Sequence, residues 1–292
     1  MSQSSVADLG SFLRARRSRL QPADVGLVSY GARRRVPGLR REELAQLAGV
    51  SVAYYTSLEQ GQARNASAEV LDALALALRL DDDERAHLHD LAAAAPRRRP
   101  VAVTESVSPQ LRQLLEAMDG VPAIVYGRHL DVLAWNGLGQ ALIGAGLPPD
   151  AAEPPNHIRM LFLDDRYRNL FVHWEAETRP AVAFLRLVAG RHPNDPRLAA
   201  LVGELCVKSP EFARLWNDHD VRECTFGTKE FRHPEVGRFE LSYQMLRLPD
   251  QPDQQLQLFS AAPGSEGQTA LRLLGSIAAT DRAQRSVSAD AP

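Results

Sequence analysis

Apolar positions recur at helical spacing through residues 9–91. Leu9, Phe12, Leu13, Arg16 and Leu20 fall on one helical stripe, with arginines on the outer side. Arg40–Gly49 predicts a second helix with Leu44, Leu47 and Ala48 inward, closed by Gly49, where a helix end favours a left-handed residue. Ser51 caps a third over Val52–Gln60, and Gly61 stops it. Ser67 caps a fourth with Val70, Leu71, Leu74 and Leu78 on one face, and Asp81-Asp-Asp-Glu84 loads the first turn of a fifth. The step Leu47-Ala-Gly-Val-Ser51 is short enough to set helices two and three at a steep angle, as in a helix-turn-helix; a plain helical hairpin is the competing reading. Tyr55 and Leu58 then face the core, while Val52, Ala53, Thr56 and Ser57 face out. Small and hydroxylated outward side chains let a helix enter the major groove and touch base edges.

Beyond about residue 107 the period changes. Ala123–Tyr126 and Val132–Trp135 flank a short connection and predict a β-hairpin, after which Asn136 caps a helix toward Ile143. Residues 165–188 place Tyr167, Leu170, Phe171, Trp174, Ala181, Leu185 and Val188 on one helical stripe, with a kink expected a turn before Pro180. Helices are expected at 195–207 and 210–218 and from Ser265, and strands at Arg222–Arg232, Arg238–Leu248 and Gln254–Ala261. In the second of these strands Phe239, Leu241, Tyr243 and Met245 alternate, which implies one buried face.

Length and composition refine this into domains. At 292 residues with 45% apolar content the chain is expected to form two domains. Pro96, Pro100 and Pro109 interrupt any helix around Pro96-Arg-Arg-Arg-Pro100, so 1–95 is read as the helical head, 96–106 as a linker, 107–280 as the second domain and 281–292 as a disordered tail. The fold class is therefore multi-domain: an all-α head plus an α/β (α+β) domain with an antiparallel sheet. The net charge of −2 hides an asymmetry: residues 1–64 hold ten arginines against five acids, a net of +5, and residues 65–95 two against seven, a net of −5. A basic block beside an acidic one fits a face that meets a polyanion; a solvated arginine-rich surface is the plainer alternative. No apolar run reaches the ~18–20 residues of a membrane span, and two cysteines, Cys206 and Cys224, build neither a disulfide framework nor a four-thiolate site, so a reduced, cytoplasmic setting is expected.

At these residues a resemblance becomes specific. Glu43-Leu-Ala-Gln-Leu-Ala-Gly-Val-Ser-Val-Ala-Tyr-Tyr-Thr-Ser-Leu-Glu-Gln-Gly61 resembles the helix-turn-helix of lambda-repressor-like, XRE-family transcription regulators. Arg35-Val-Pro-Gly-Leu-Arg-Arg-Glu42, Asp131-Val-Leu-Ala-Trp-Asn136, His192-Pro-Asn-Asp-Pro-Arg-Leu198 and His219-Asp-Val-Arg222 resemble the MmyB-like regulators. The resemblance spans about residues 9–276 and implies a DNA-binding head followed by a PAS-like ligand-binding domain holding a fatty-acid-like or other small lipophilic effector. One departure is the long stretch Gln21–Leu39 between helices one and two; its Arg33, Arg34 and Arg35 read as a basic arm reaching phosphates or the minor groove, or else as a solvated loop.

Catalytic chemistry finds little support. There is no zinc helix of the His-Glu-x-x-His type, no phosphate loop and no nucleophile elbow, and Gly137-Leu-Gly-Gln-Ala-Leu142 departs from a dinucleotide fingerprint at its end. No catalytic or metal residues are assigned and no cofactor is required. Trp135, Trp174, Phe184, Trp216 and Tyr243 either line a ligand cavity or fill the core. His173 and Arg222 are the candidates for a ligand's carboxylate, His173 having the alternative of a satisfied core histidine. In the head, Arg40 and Arg41 are expected at phosphates, and Ser51, Val52, Ala53, Thr56 and Ser57 at the reading surface. The chain thus reads as a DNA-binding transcription regulator, a homodimer on double-stranded DNA whose second domain senses a small lipophilic ligand. An enzyme or an interaction scaffold built on the second domain is the alternative, which the salt dependence of binding to random duplex DNA discriminates.

Overall fold

The head is built from α1 (Leu9–Arg19), a 3-10 turn at Pro22–Val25, α2 (Arg41–Leu47), α3 (Val52–Glu59), α4 (Ala68–Ala77) and α5 (Asp82–Ala92). The computed structural model describes residues 9–27, 38–62, 66–93, 105–144, 155–222 and 225–289, with side chains as far as residue 280. Residues 96–104 of the expected linker, like Arg33, Arg34, Arg35 and Cys224, lie outside them. Both predicted caps of the head form: the Ser51 hydroxyl accepts from the Tyr54 N–H at 3.1 Å and Ser67 from Val70 at 3.4 Å; Asp81, read only as acidic loading of the first turn of α5, also caps it by exchanging bonds with Glu84 in a capping box. Gly49 takes φ +67° at the turn between α2 and α3, a conformation that costs an L side chain energy. Leu47, expected inside, is 37% exposed; Ala45 takes the inward place because it shares one helical face with the buried Leu44 and Ala48.

The remaining elements are α6 (Pro109–Ala117), β1 (Ala123–Tyr126), β2 (Val132–Trp135), α7 (Gly137–Ile143), α8 (His157–Leu163), α9 (Asp165–Asn169), α10 (Trp174–Arg191), α11 (Pro196–Lys208), α12 (Pro210–Asn217), β3 (Phe226–His233), β4 (Gly237–Leu248), β5 (Gln251–Ser260) and α13 (Glu266–Ala289). The expected hairpin and three later strands form one antiparallel sheet in the order β2-β1-β5-β4-β3. The all-helical head and the α/β domain with an antiparallel sheet are both as the sequence implies.

Three expectations are corrected. The stripe at 165–188 is two helices: residues 170–172 leave the helix to pair with β3, through Val172 N–H to Glu230 O at 2.9 Å, Arg232 N–H to Leu170 O at 2.7 Å and a Phe171–Phe231 bridge. An edge strand with open backbone groups outcompetes helix continuation there. Arg222 does not open a strand; β3 begins at Phe226. α13 continues to Ala289, past the point where disorder is expected, and residues 281–289 contain neither Gly nor Pro to end it.

Packing divides the chain into two compact units, Met1–Val101 with Val182–Glu223, and Ala102–Ala181 with Cys224–Pro292. In the first, Phe12, Leu13, Leu44, Tyr55, Leu58, Leu74 and Leu88 share a buried cluster with Leu187 and Val221. In the second, Asn136 ties the first hairpin to its flanking helices. Its Oδ1 accepts from Ala123 N–H at 3.0 Å and Gly139 N–H at 2.8 Å, and its Nδ2 donates to the carbonyls of Met118 and Val121 at 3.0 and 2.7 Å. Asn136→Ala strands these groups in a buried setting and removes the α7 cap, so a loss of about 2–4 kcal/mol is expected in urea unfolding of the intact chain. A loss below about 0.5 kcal/mol shows that the hairpin is held by packing alone.

Candidate nucleic-acid interface and ligand cavities

The outward end of α3 is an exposed, small-residue surface on a rigid base. Ser51, Val52 and Ala53 are exposed and Thr56 and Ser57 half-buried, whereas Tyr55 and Leu58 are fully buried. The base is Glu59, the last residue of α3. Its carboxylate, with no exposed side-chain surface, accepts from Arg17 Nε at 2.7 Å, Arg41 Nε at 2.7 Å and the Tyr55 hydroxyl at 2.8 Å. Arg17 also donates to the Leu39 carbonyl at 2.6 Å. One carboxylate thereby joins α1, α2 and α3. Burial pushes the Glu59 carboxyl up, but hydrogen bonds from Arg17, Arg41 and Tyr55 outweigh it and hold it below the ordinary carboxylate range. Burial and then the Glu59 charge push the Tyr55 hydroxyl up, so it stays a donor.

The basic block is less open than its composition implies. Among the described residues, Arg16 pairs with Glu84 at 2.6 Å, Arg17 and Arg41 with Glu59, Arg19 with Asp220 at 2.7 Å, and Arg40 with Glu42 at 3.5 Å; Arg14 donates to the Glu59 carbonyl at 3.4 Å. Arg40 and Arg41 keep 46% and 42% of their side chains exposed beside α3. Arg40 is held only by a surface pair, which is worth little and exchanges readily for a phosphate.

Two cavities of the second unit bear on ligand binding. The larger, about 990 Å³, lies among α6, α7, β5 and α13 and is lined by Trp135, Met118, Phe259 and Leu271, with Glu116 and Arg272 also on its wall. The smaller, about 570 Å³, is lined by Ile143, Tyr167, Leu170 and Pro234, with Arg166 and Arg232 among its charged residues. Arg166 is held by Asp164, whereas Arg232 makes no ion pair among the described residues. Near the smaller cavity, Nδ1 of the half-buried His157 and the hydroxyl of the buried Tyr167 share a hydrogen bond of 2.8 Å. Burial, with Lys229 nearby, pushes His157 down to about 3. Lys229 pairs with Glu177 and lies 4.8 Å from the Tyr243 ring.

The seven expected ligand residues are distributed over both units. Trp135 lines the larger cavity. Trp174 is half-buried, donates from Nε1 to the Leu161 carbonyl at 2.8 Å and lies under the Arg168 guanidinium at 3.9 Å. Tyr243 is half-buried against Phe259. Phe184 and Trp216 belong to the first unit, Trp216 stacking on Phe212. His173 is no buried carboxylate receptor: its side chain is 69% exposed and meets Glu230 at 3.1 Å, because it sits in the break before α10. Arg222 is exposed in the coil before β3. Arg232 was not legible as a cavity residue, since an exposed arginine in an alternating strand carries no distinguishing signal. Among the described residues no three His, Cys, Asp or Glu side chains group as a metal site, and no helix is long and apolar enough to cross a membrane.

Glu59→Ala leaves two arginines and a tyrosine without their acceptor, and is expected to destabilise the head by about 3–5 kcal/mol. Because the folded carboxyl lies below its unfolded value of ~4.3, its contribution is complete above that pH and is lost as pH falls through the folded value. Thermal unfolding of the wild type and Glu59→Gln from pH 7 to pH 2 checks this. A wild-type acid profile no steeper than that of Glu59→Gln contradicts it.

Residues 107–274 match the MmyB-like transcription regulator ligand binding domain, and residues 8–88 match a helix-turn-helix domain. No curated protein matches the chain. A helix-turn-helix domain over residues 8–88, followed by this ligand-binding domain over residues 107–274, makes the chain a member of the MmyB-like family of transcription regulators.

Proposed function

We propose that the protein regulates transcription as a homodimer, with α3 in the major groove of paired half-sites and a PAS-like second domain that senses a lipophilic, fatty-acid-like effector. The observation that carries the DNA reading is the exposed Ser51-Val52-Ala53 surface standing on the buried Tyr55–Leu58–Glu59 base. Ser51, Val52, Ala53, Thr56 and Ser57 then lie at base edges, and Arg40 and Arg41 at phosphates beside them. Arg33, Arg34 and Arg35, outside the described residues, supply the arm. One head spans too few base pairs for a specific operator, which favours two chains on a palindromic site.

Arg40→Ala is expected to weaken binding about equally on all duplexes and to lower the salt slope by about one, whereas Thr56→Val alters sequence preference. Competition binding on a randomised duplex pool, with sedimentation of the bound complex, reads both. Altered preference in Arg40→Ala but not in Thr56→Val, or a single chain per palindrome, contradicts the assignment.

For the effector, the smaller cavity combines apolar walls with Arg232, a cation whose place among them fits one polar end of an acyl chain. Burying the chain contributes ~25 cal/mol per Å² of apolar surface, less the cost of ordering it. The bond of a guanidinium to a carboxylate contributes about 1.5–3 kcal/mol. Calorimetric titration with medium- and long-chain fatty acids is expected to show binding that Arg232→Ala weakens about tenfold or more, while the matching alcohols bind wild type and variant alike. No heat from any chain length removes the acyl effector, and an undiminished affinity in Arg232→Ala removes Arg232 from it.

A further inference from the structure

Residues 182–223 fall inside the stretch that matches the ligand-binding domain, yet they pack in one compact unit with the helix-turn-helix head. The division falls inside α10, between Ala181 and Val182, one residue past Pro180. Pro180 offers no N–H to the carbonyl four residues before it, so α10 is weakest close to that division.

The join to the head is apolar at its centre and charged at its rim. Leu187 and Val221 share the buried cluster of Phe12, Leu13 and Leu88. His87 of α5, 1% exposed, stands edge-on to Phe12 at 5.1 Å, and a Cβ on Gly190 would fall 2.5 Å from its Nδ1. Around this centre Arg16 donates to the His219 carbonyl at 2.6 Å, and Arg19 bonds both Asp220, at 2.7 Å, and the Asp218 carbonyl. Arg191 meets Asp90 at 3.6 Å. His219 takes φ +54°, a left-handed conformation that costs a non-glycine residue energy, and it is fixed from both sides: Arg16 holds its carbonyl and Arg186 lies 3.0 Å from its Nδ1.

We infer that residues 182–223 are a relay, a working part of the DNA-binding unit through which DNA occupancy at α3 is coupled to α10 and so to the ligand-binding domain. The clamp of Arg16 and Arg19 on residues 218–220 is the coupling element. α1 carries this clamp on one face and Arg17 on another, and Arg17 holds Glu59 at the end of α3. A displacement of residues 218–220 therefore reaches the DNA-reading helix through a single helix and two ionic contacts. The inference rests on the reading of α3 as the DNA contact.

Hydrogen exchange of the full-length chain, with and without a short random-sequence duplex at low salt, tests it. DNA is expected to slow exchange at residues 38–62 and also, by about fivefold or more, at 182–191 and 217–222. In Asp220→Ala, and independently in Arg19→Gln, the second effect falls below about twofold while the first remains and thermal unfolding stays within a few degrees. Protection at 38–62 with none at 182–222 in the wild type overturns the relay and leaves the DNA reading intact. Absence of protection at 38–62 removes the DNA reading and the relay with it. Undiminished transmission in both variants overturns the clamp.

Discussion

The head depends on one buried carboxylate. Glu59 is the last residue of α3, and two of its three donors, Arg17 and Arg41, come from α1 and α2. Gly10 shows how tight the resulting approach is: a Cβ there would lie 2.2 Å from the Glu59 carbonyl, so α1 can cross α3 only where it has no side chain. A buried ion pair is a poor source of net stability, because desolvation offsets most of the Coulomb gain, but it is intolerant of misplacement. Its value here is geometric. With Glu59 satisfied, α3 has one rotation about its own axis, and the outward positions Val52, Ala53 and Thr56 are set by what happens on the inward side.

The same pairing explains why charge counting overstates the DNA-facing surface. The surplus of arginines in residues 1–64 is real in sequence, but the described ones bind carboxylates and carbonyls of the protein itself. Arg16 and Arg19 find acceptors some two hundred residues away, in the segment around His219. No local pattern encodes such a partner, so composition shows the number of cations and not their destination. What was legible in the head was local: the caps at Ser51 and Ser67, the acidic first turn of α5, the left-handed Gly49, and the inward Tyr55 and Leu58 each depend on neighbours within four residues.

The second unit shows the reverse case. The hairpin at 123–135 and its Asn136 cap were readable, as was the alternation of β4. The break at 170–173 was not, because helical periodicity of the side chains persists there while the backbone serves the open edge of β3. That break also leaves His173 exposed to solvent, so one non-local pairing removes a polar candidate from the interior. A periodicity argument fails in this way wherever a segment's backbone has a better partner than itself.

The packing of residues 182–223 with the head has a consequence for how such a regulator can respond. Leu187 and Val221 enlarge a small helical core whose own chain is short, and small domains gain most from each added buried side chain. Were the join wholly apolar, it would be as permanent as the rest of the core. Its rim instead combines the buried Arg16 with a partly exposed ion pair: the Arg19 and Asp220 side chains are each about two-fifths open to water, and contacts of that kind are weak and sensitive to displacement. The apolar centre and the Arg16 and Arg19 contacts both reach α1, the helix that carries Arg17, so the segment is tied to that helix by a strong centre and a weaker charged rim. An equilibrium between two arrangements of the rim needs a difference of only a few kcal/mol, which lies within the reach of differential binding by either DNA or a small ligand.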